Sequence, residues 1–353
     1  MAETIPVFDG HNDFLLRLRR APGRRAETWL HDTGRGHLDL PRMRRGGFAG
    51  GLFAIYIASP MPAGDFEALM DNPPYDLPLP APIDVIEAQP VALAMAGHLA
   101  WMARASGGAF RLCRSAAELR AALADGVISG VMHFEGAEAI GPDLDALYLY
   151  HAMGLRSLGP VWSRPTAFGH GVPFRFPATP DIGPGLTAAG KDLVRLCNEL
   201  RIMIDLSHLN EKGFNDVAAL SDAPLVATHS NAHAVTPHAR NLTDRQLDMI
   251  AERGGMVGLN YATVFLREDG RQSADMGWEP MLRHLDHLIG RLGEDHVGLG
   301  SDFDGALVPQ VIGDVTGLPA FQEAMRAHGY DAALMAKLCH RNWLDVLDRT
   351  WGG

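Results

Sequence analysis

Five short stretches of this sequence set ionisable side chains where apolar runs end. "DGHND" carries His11 and Asp13 two residues apart, so both face one side of an extended chain while Asn12 faces the other. "HFEGAE" supplies Glu135 after a β-branched apolar run, and "MIDLSH" and "LVATHS" deliver His208 and His229. "GSDFDG" ends the series with Asp302. Alone, a His-x-Asp pair is common in surface loops, and a strand-end glutamate often caps the next helix, which competes for Glu138. A lone buried histidine is more often a core residue than a ligand. Two histidines at the same depth of consecutive runs are harder to assign to packing.

His11, Asp13, Glu135, His208 and His229 together offer imidazole and carboxylate without thiolate, the ligand chemistry of zinc or another borderline divalent ion. Five ligands exceed the three that usually hold one catalytic zinc. They suit two ions sharing a carboxylate, spaced about 3.5–4 Å apart. The lysines are Lys191, Lys212 and Lys337, none at the end of an apolar run, so Glu135 rather than a carbamylated lysine is the candidate bridge. Bound metal is also the expected compensation for packing Asp9, His11 and Asp13 into an apolar segment, because unpaired buried charge is costly.

Such a set works only if distant residues converge. The strand-like runs are "PVFDGHN", "GGLFAIYI", "ISGVMHFEG", "LRSLGPVW", "RIMIDLSHL", "PLVATHS", "GMVGLNY" and "HVGLGSDFDG", with helical patterns between most of them. "SAAELRAALADG" opens on a serine cap and stops at Gly126, as a helix should. Regular alternation predicts a parallel sheet, and eight strands favour a closed (β/α)8 TIM barrel over an open sheet. In that fold the strand C-termini share one face, where the binuclear metal site would lie. "FGHGVPFRFPATPDIGPG" reads as a long loop rather than a linker, and residues 1–353 as one barrel domain.

A net charge of −11 argues against nucleic acid as a partner and against a basic membrane-surface patch. There is no apolar run of membrane-spanning length. The start lacks the basic and apolar regions of a signal peptide, and the three cysteines form no CxxC pair. The expectation is a soluble cytoplasmic protein. A GxSxG elbow, an HExxH helix and a P-loop are all missing.

These motifs resemble the renal (membrane) dipeptidase family of zinc metallopeptidases, within the broader amidohydrolase-type barrels. The matching segments are "DGHND", "LDLPRMRRGGFAGG", "HFEGAEAIG", "IDLSHL", "ATHSNAHAVTPHARN" and "VGLGSDFDG", in that order, with "LCHRNWLDV" fitting the family's closing helix. The resemblance implies two Zn2+ ions, one held by His11, Asp13 and Glu135, the other by Glu135, His208 and His229. It makes Asp302 the proton-handling acid and Arg240 the group that holds the substrate carboxylate. By analogy it implies a small dipeptide substrate and a homodimer. The family's fourth strand typically ends in "TLTH", whose histidine contacts the substrate carbonyl. Here "LGPVW" puts Trp162 in that place, as a packing wall, with His170 downstream as the alternative donor.

The activity implied is hydrolysis of dipeptides with a free C-terminal carboxylate, extending to a C-terminal D-residue. The nearest rivals are an N-acyl amino acid hydrolase, a lactonase or a deaminase on the same site. Arg240 separates them, because a simple lactone has no α-carboxylate to hold. A metal-stabilised binding barrel without catalysis is further off, because it has no need of a proton carrier such as Asp302.

Overall fold

The structure, a computed structural model, describes residues 4–59 and 67–352. Eight short parallel strands form its centre: β1 (Val7–Asn12), β2 (Phe48–Tyr56), β3 (Ile128–Glu135), β4 (Leu155–Gly159), β5 (Met203–Ile204), β6 (Val226–Ala227), β7 (Met256–Leu259) and β8 (Val297–Leu299). They pair in the order β5-β4-β3-β2-β1-β8-β7-β6. A parallel bridge between Asp205 and Val226 joins the two ends, so the sheet closes into the expected (β/α)8 barrel. One further strand, Phe110–Leu112, pairs in parallel with the first residues of β3.

The helices between strands begin where local chemistry satisfies their free N–H groups. Ser115 accepts from the Glu118 N–H at the start of Ala116–Ala124, and Thr243 and Gln246 form a capping box on Asp244–Glu252. Gly126, with φ +66°, ends the Ser115-capped helix as its sequence implies. No helix among the described residues is long and apolar enough to cross a membrane.

Strand alternation sorts the barrel interior into layers. Phe8, Leu52, Val131, Met203, Val226 and Met256 form an apolar floor, packed with Trp343 of the C-terminal helix Asn342–Trp351. Trp343 donates its indole N–H to the Leu299 carbonyl at 2.9 Å. Two residues above the floor, β2 and β3 present Ala54 and His133, and two above those Tyr56 and Glu135, each a register pair. Phe53, Ile55, Met132 and Phe134 face outward into the core beneath the helices.

The loop over "FGHGVPFRFPATPDIGPG" is more ordered than its composition suggests. Arg175–Phe176 pairs antiparallel with Tyr75–Asp76. With Met70, Leu77, Val264 and Phe265 this ribbon forms a separate apolar cluster, against which Phe174 packs.

Candidate active site

The strand ends bring His11, Asp13, Glu135, His208, His229 and Asp302 to the C-terminal mouth of the barrel. Glu135 is central. Its Oε2 lies 3.5 Å from His11 Nε2, which is itself 3.4 Å from Asp13 Oδ2. Its Oε1 lies 3.0 Å from His208 Nε2 and 3.6 Å from His229 Nε2. The two oxygens of one carboxylate thus face two different sets of donors. The backbone is bent to achieve this, since His208 and Asp302 both adopt positive φ, +68° and +60°, a conformation costing roughly 1–3 kcal/mol in a non-glycine residue. Gly305 is required as glycine. A Cβ there would meet Asp13 Oδ2 at 2.2 Å and Asp302 Oδ1 at 2.4 Å.

Electrostatics follow from burial. Burial raises Glu135 to about 7. It also drives His208 and His229 well below the usual imidazole value, helped by the Arg240 and His11 charges. Burial opposes charge on His11 as well, but Glu135 and Asp13 outweigh it and hold His11 well above its ordinary value. Burial, with the Asp13 charge, lifts Asp302 above the usual carboxylate range.

The donor set fits divalent metal. Both ring nitrogens of His11 and Asp13 Oδ1 are buried without a hydrogen-bond partner. His208 and His229 bring their Nε2 atoms within 3.1 Å of each other, beside a carboxylate oxygen. His208 and His229, kept neutral by burial, are already in the form that binds metal, and His11 would release its proton on doing so. The remaining ring nitrogens are oriented from behind: Ser163 Oγ lies 2.9 Å from His208 Nδ1 and Thr228 Oγ1 2.7 Å from His229 Nδ1. Thr228 in turn donates to Asp205 Oδ2 at 2.6 Å. Hydrogen bonds of this kind fix ligand orientation. Beside Asp205, at 3.6 Å, is His133 Nε2.

Asp302 Oδ2 accepts from Asn260 Nδ2 at 3.0 Å, leaving Oδ1 toward Asp13. Arg240 is buried. Its Nη1 donates to Ser230 Oγ at 2.7 Å and its Nη2 to the His229 carbonyl at 2.9 Å, while Nε has no partner. A cavity of about 260 Å³ opens over the site, bounded by Asp13, Glu135, His208, Asp302, Trp162, Tyr56 and the apolar Phe174 and Phe265. That is smaller than the roughly 300–1,000 Å³ of typical drug-sized pockets, and suits a short substrate.

Three expectations need correction. His170 is not among the residues lining the cavity. Its carbonyl accepts from the Asn210 N–H, and the neighbouring Gly171 bridges to Leu209, which clamps this part of the loop against the chain after β5. Phe174 from the same loop faces the cavity instead, and Trp162 forms the adjoining wall, 5.7 Å from it ring to ring. Asp9 turns to the protein rather than to the cluster, accepting from Ser301 N at 2.7 Å and Ser301 Oγ at 2.8 Å, and burial still lifts it to about 7 against those bonds. Glu138 caps no helix. It pairs with the fully buried Arg164, whose Nη2 is 2.6 Å from Glu138 Oε1 and 2.8 Å from the Ile57 carbonyl.

The fold and its carboxylate–imidazole cluster define a (β/α)8 hydrolase of the metal-dependent kind. The sequence matches the family described as Membrane dipeptidase (Peptidase family M19) over residues 1–350, and the chain belongs to that family, a metallo-dipeptidase acting on peptide bonds. A crystallised metallo peptidase from Rhodobacter sphaeroides, bound to a phosphinate mimic of the dipeptide L-Ala-D-Ala, is 73% identical with a TM-score of 0.98, covering 99% of this chain and 100% of that one. An uncharacterised Klebsiella pneumoniae protein in the pqqA 5' region is 51% identical over 249 residues, 70% of this chain and 91% of that protein. The fold extends to the probable dipeptidase PvdM of Pseudomonas aeruginosa, with a TM-score of 0.84 at 23% identity over 98% of this chain and 96% of that one.

Proposed function

We propose that this chain is a zinc-dependent dipeptidase that requires a free C-terminal carboxylate and accepts a D-residue at that position. The observation that carries the reading is the division of Glu135, one oxygen toward His11 and the other toward His208 and His229. That division supports two ions, the first with His11, Asp13 and Glu135 and the second with Glu135, His208 and His229. When bound, such a pair supplies a Lewis acid for the scissile carbonyl and acidifies a water at neutral pH.

The chain's own residues do the rest. Asp302 takes a proton at Oδ1 and returns it to the leaving amine, while Asn260 holds Oδ2 and keeps the carboxylate aimed. Arg240, with its unpartnered buried Nε, is the group for the substrate carboxylate, and Trp162 and Phe174 enclose the side chains. The Rhodobacter protein's phosphinate ligand, a mimic of L-Ala-D-Ala, supports the tolerance for a D-residue. Three buried, unbonded cysteines, Cys113, Cys197 and Cys339, support a reducing compartment, the cytoplasm.

Metal analysis of the purified protein together with a dipeptide panel tests this. We expect about two zinc ions per chain, activity on L-Ala-D-Ala, and loss of that activity when the C-terminus is amidated. His229→Ala should lose at least one ion and most turnover. An active, metal-free protein refutes the reading.

A further inference from the structure

Peptide hydrolysis places negative charge on the former carbonyl oxygen, and a preformed N–H or O–H donor beside that oxygen is among the largest contributions an enzyme makes. The uncharged donors lining the cavity are Tyr56, Trp162, Thr263 and Gln272. Thr263 Oγ1 is sealed from the cavity, buried and unpartnered. Gln272 already has an interaction partner, and its backbone N–H bonds to the Met70 carbonyl. Trp162 packs tilted or edge-on against Tyr56, Phe174 and His208, at ring distances of 5.1, 5.7 and 5.8 Å, as a wall of the cavity.

Tyr56 stands apart. It ends β2 as the register partner of Glu135, so its side chain rises into the same layer as the bridging carboxylate. Its ring lies beside Trp162, which in turn borders His208. Among the described residues no hydrogen bond ties its hydroxyl down. A phenol ionises near 10 and so keeps its proton at neutral pH. The backbone that carries it is fixed: Arg164 binds the Ile57 carbonyl and Ser59 Oγ, one and three residues on.

We propose that Tyr56 is a catalytic residue whose phenolic O–H donates a hydrogen bond to the developing oxyanion of the scissile peptide. No proton is transferred, since the phenol remains protonated and only the hydrogen bond strengthens as charge builds. The proposal rests on the dipeptidase reading and adds the group that stabilises its transition state. Trp162 then needs no donor role of its own and serves as the wall that orients the phenol.

The test is Tyr56→Phe, which keeps the ring and removes only the donor. Two quantities are read at matched metal content: kcat and KM on L-Ala-D-Ala, and the calorimetric affinity for a phosphinate mimic of that dipeptide, whose oxygens stand in for the oxyanion. Turnover should fall about 10²–10³-fold, the usual cost of one such donor, with KM within about threefold and phosphinate affinity falling in parallel. Adding Trp162→His to Tyr56→Phe should return part of the turnover, because an imidazole then enters the same wall with a donor. Turnover within threefold of wild type, or unchanged phosphinate affinity in the variant, overturns the proposal. Absence of wild-type turnover would instead strike the dipeptidase reading, leaving the phosphinate comparison to judge Tyr56.

Discussion

Replacing Arg164 with methionine leaves Glu138 buried without its cation. Arg164 is fully buried, and its hydrogen bonds reach Glu138 Oε1 through Nε at 3.1 Å and Nη2 at 2.6 Å, the Ile57 carbonyl and Ser59 Oγ. Breaking a buried ion pair by removing one partner typically costs about 3–5 kcal/mol. Unfolding entropy of about 2.1 cal/mol/K per residue, over 353 residues, comes to about 0.74 kcal/mol/K. The expected drop in Tm is therefore about 4–7 °C at pH 7.5. The deficit should depend on pH with a definite sign. Burial already raises Glu138 above its ordinary 4.5 despite Arg164, and loss of the cation raises it further. Between 4.5 and that raised value the folded state holds a proton that the unfolded state has released, so stability falls as pH rises through this window. The variant's deficit should thus narrow as pH is lowered toward 4.5. The cluster at the mouth of the barrel is the same in both proteins, so the difference between them isolates Glu138. The double change Glu138→Leu with Arg164→Met should recover most of the loss, because an apolar pair of similar volume replaces a buried ion pair at little cost. Denaturant unfolding at a series of pH values measures this. A single variant within 1 kcal/mol of wild type, or a deficit that widens on acidification, refutes the reasoning.

Two further outcomes are expected. Asp302→Asn should lower turnover about 10²–10⁴-fold, the usual share of a general acid–base group, with metal content unchanged; near-normal turnover would pass the proton role to another group. Asp205→Asn disturbs the carboxylate that holds Thr228 against His229, and should weaken metal binding about 10–100-fold in competition with a chelator, an unaltered affinity being the refuting result.

The barrel and the ligand cluster were legible because two independent patterns coincide. Alternation of β-rich and helical runs implies parallel strands, and parallel strands put their C-termini on one face. His11, Glu135, His208, His229 and Asp302 each lie near the end of such a run, so the topology alone brings them together. His133 and Asp205 were within reach of the same logic. His133 shares the face of Glu135 by the two-residue period of a strand, and Asp205 interrupts an apolar run three residues before His208. Tyr56 gave no such cue, since a tyrosine at the end of "GGLFAIYI" reads as ordinary strand packing. The Arg164–Glu138 pair was illegible for a different reason. Its partners are 26 residues apart on different loops, and only the closed barrel makes them neighbours. His170 and Phe174 lie four positions apart in one loop, and which of them faces the cavity is decided by the Gly171–Leu209 bridge, a contact no local pattern encodes.

This barrel tolerates its many buried charges layer by layer. Below, Trp343 and the apolar floor exclude water from the interior. In the middle, Asp205 stays below its ordinary range because His133 and hydrogen bonds from Ser207 and Thr228 outweigh burial, whereas burial lifts Asp9 to about 7 despite its bonds from Ser301. Above them, His11, Asp13 and Glu135 have no comparable set of protein partners, and Glu135 is pushed to about 7 by burial. The protein therefore stabilises the charge of Asp205 itself, binds Asp9 by hydrogen bonds, and leaves the layer at the mouth short of positive charge. His11, Asp13 and Glu135 would hold a divalent ion only by giving up the proton that Glu135 and His11 otherwise share, so metal affinity should tighten as pH rises.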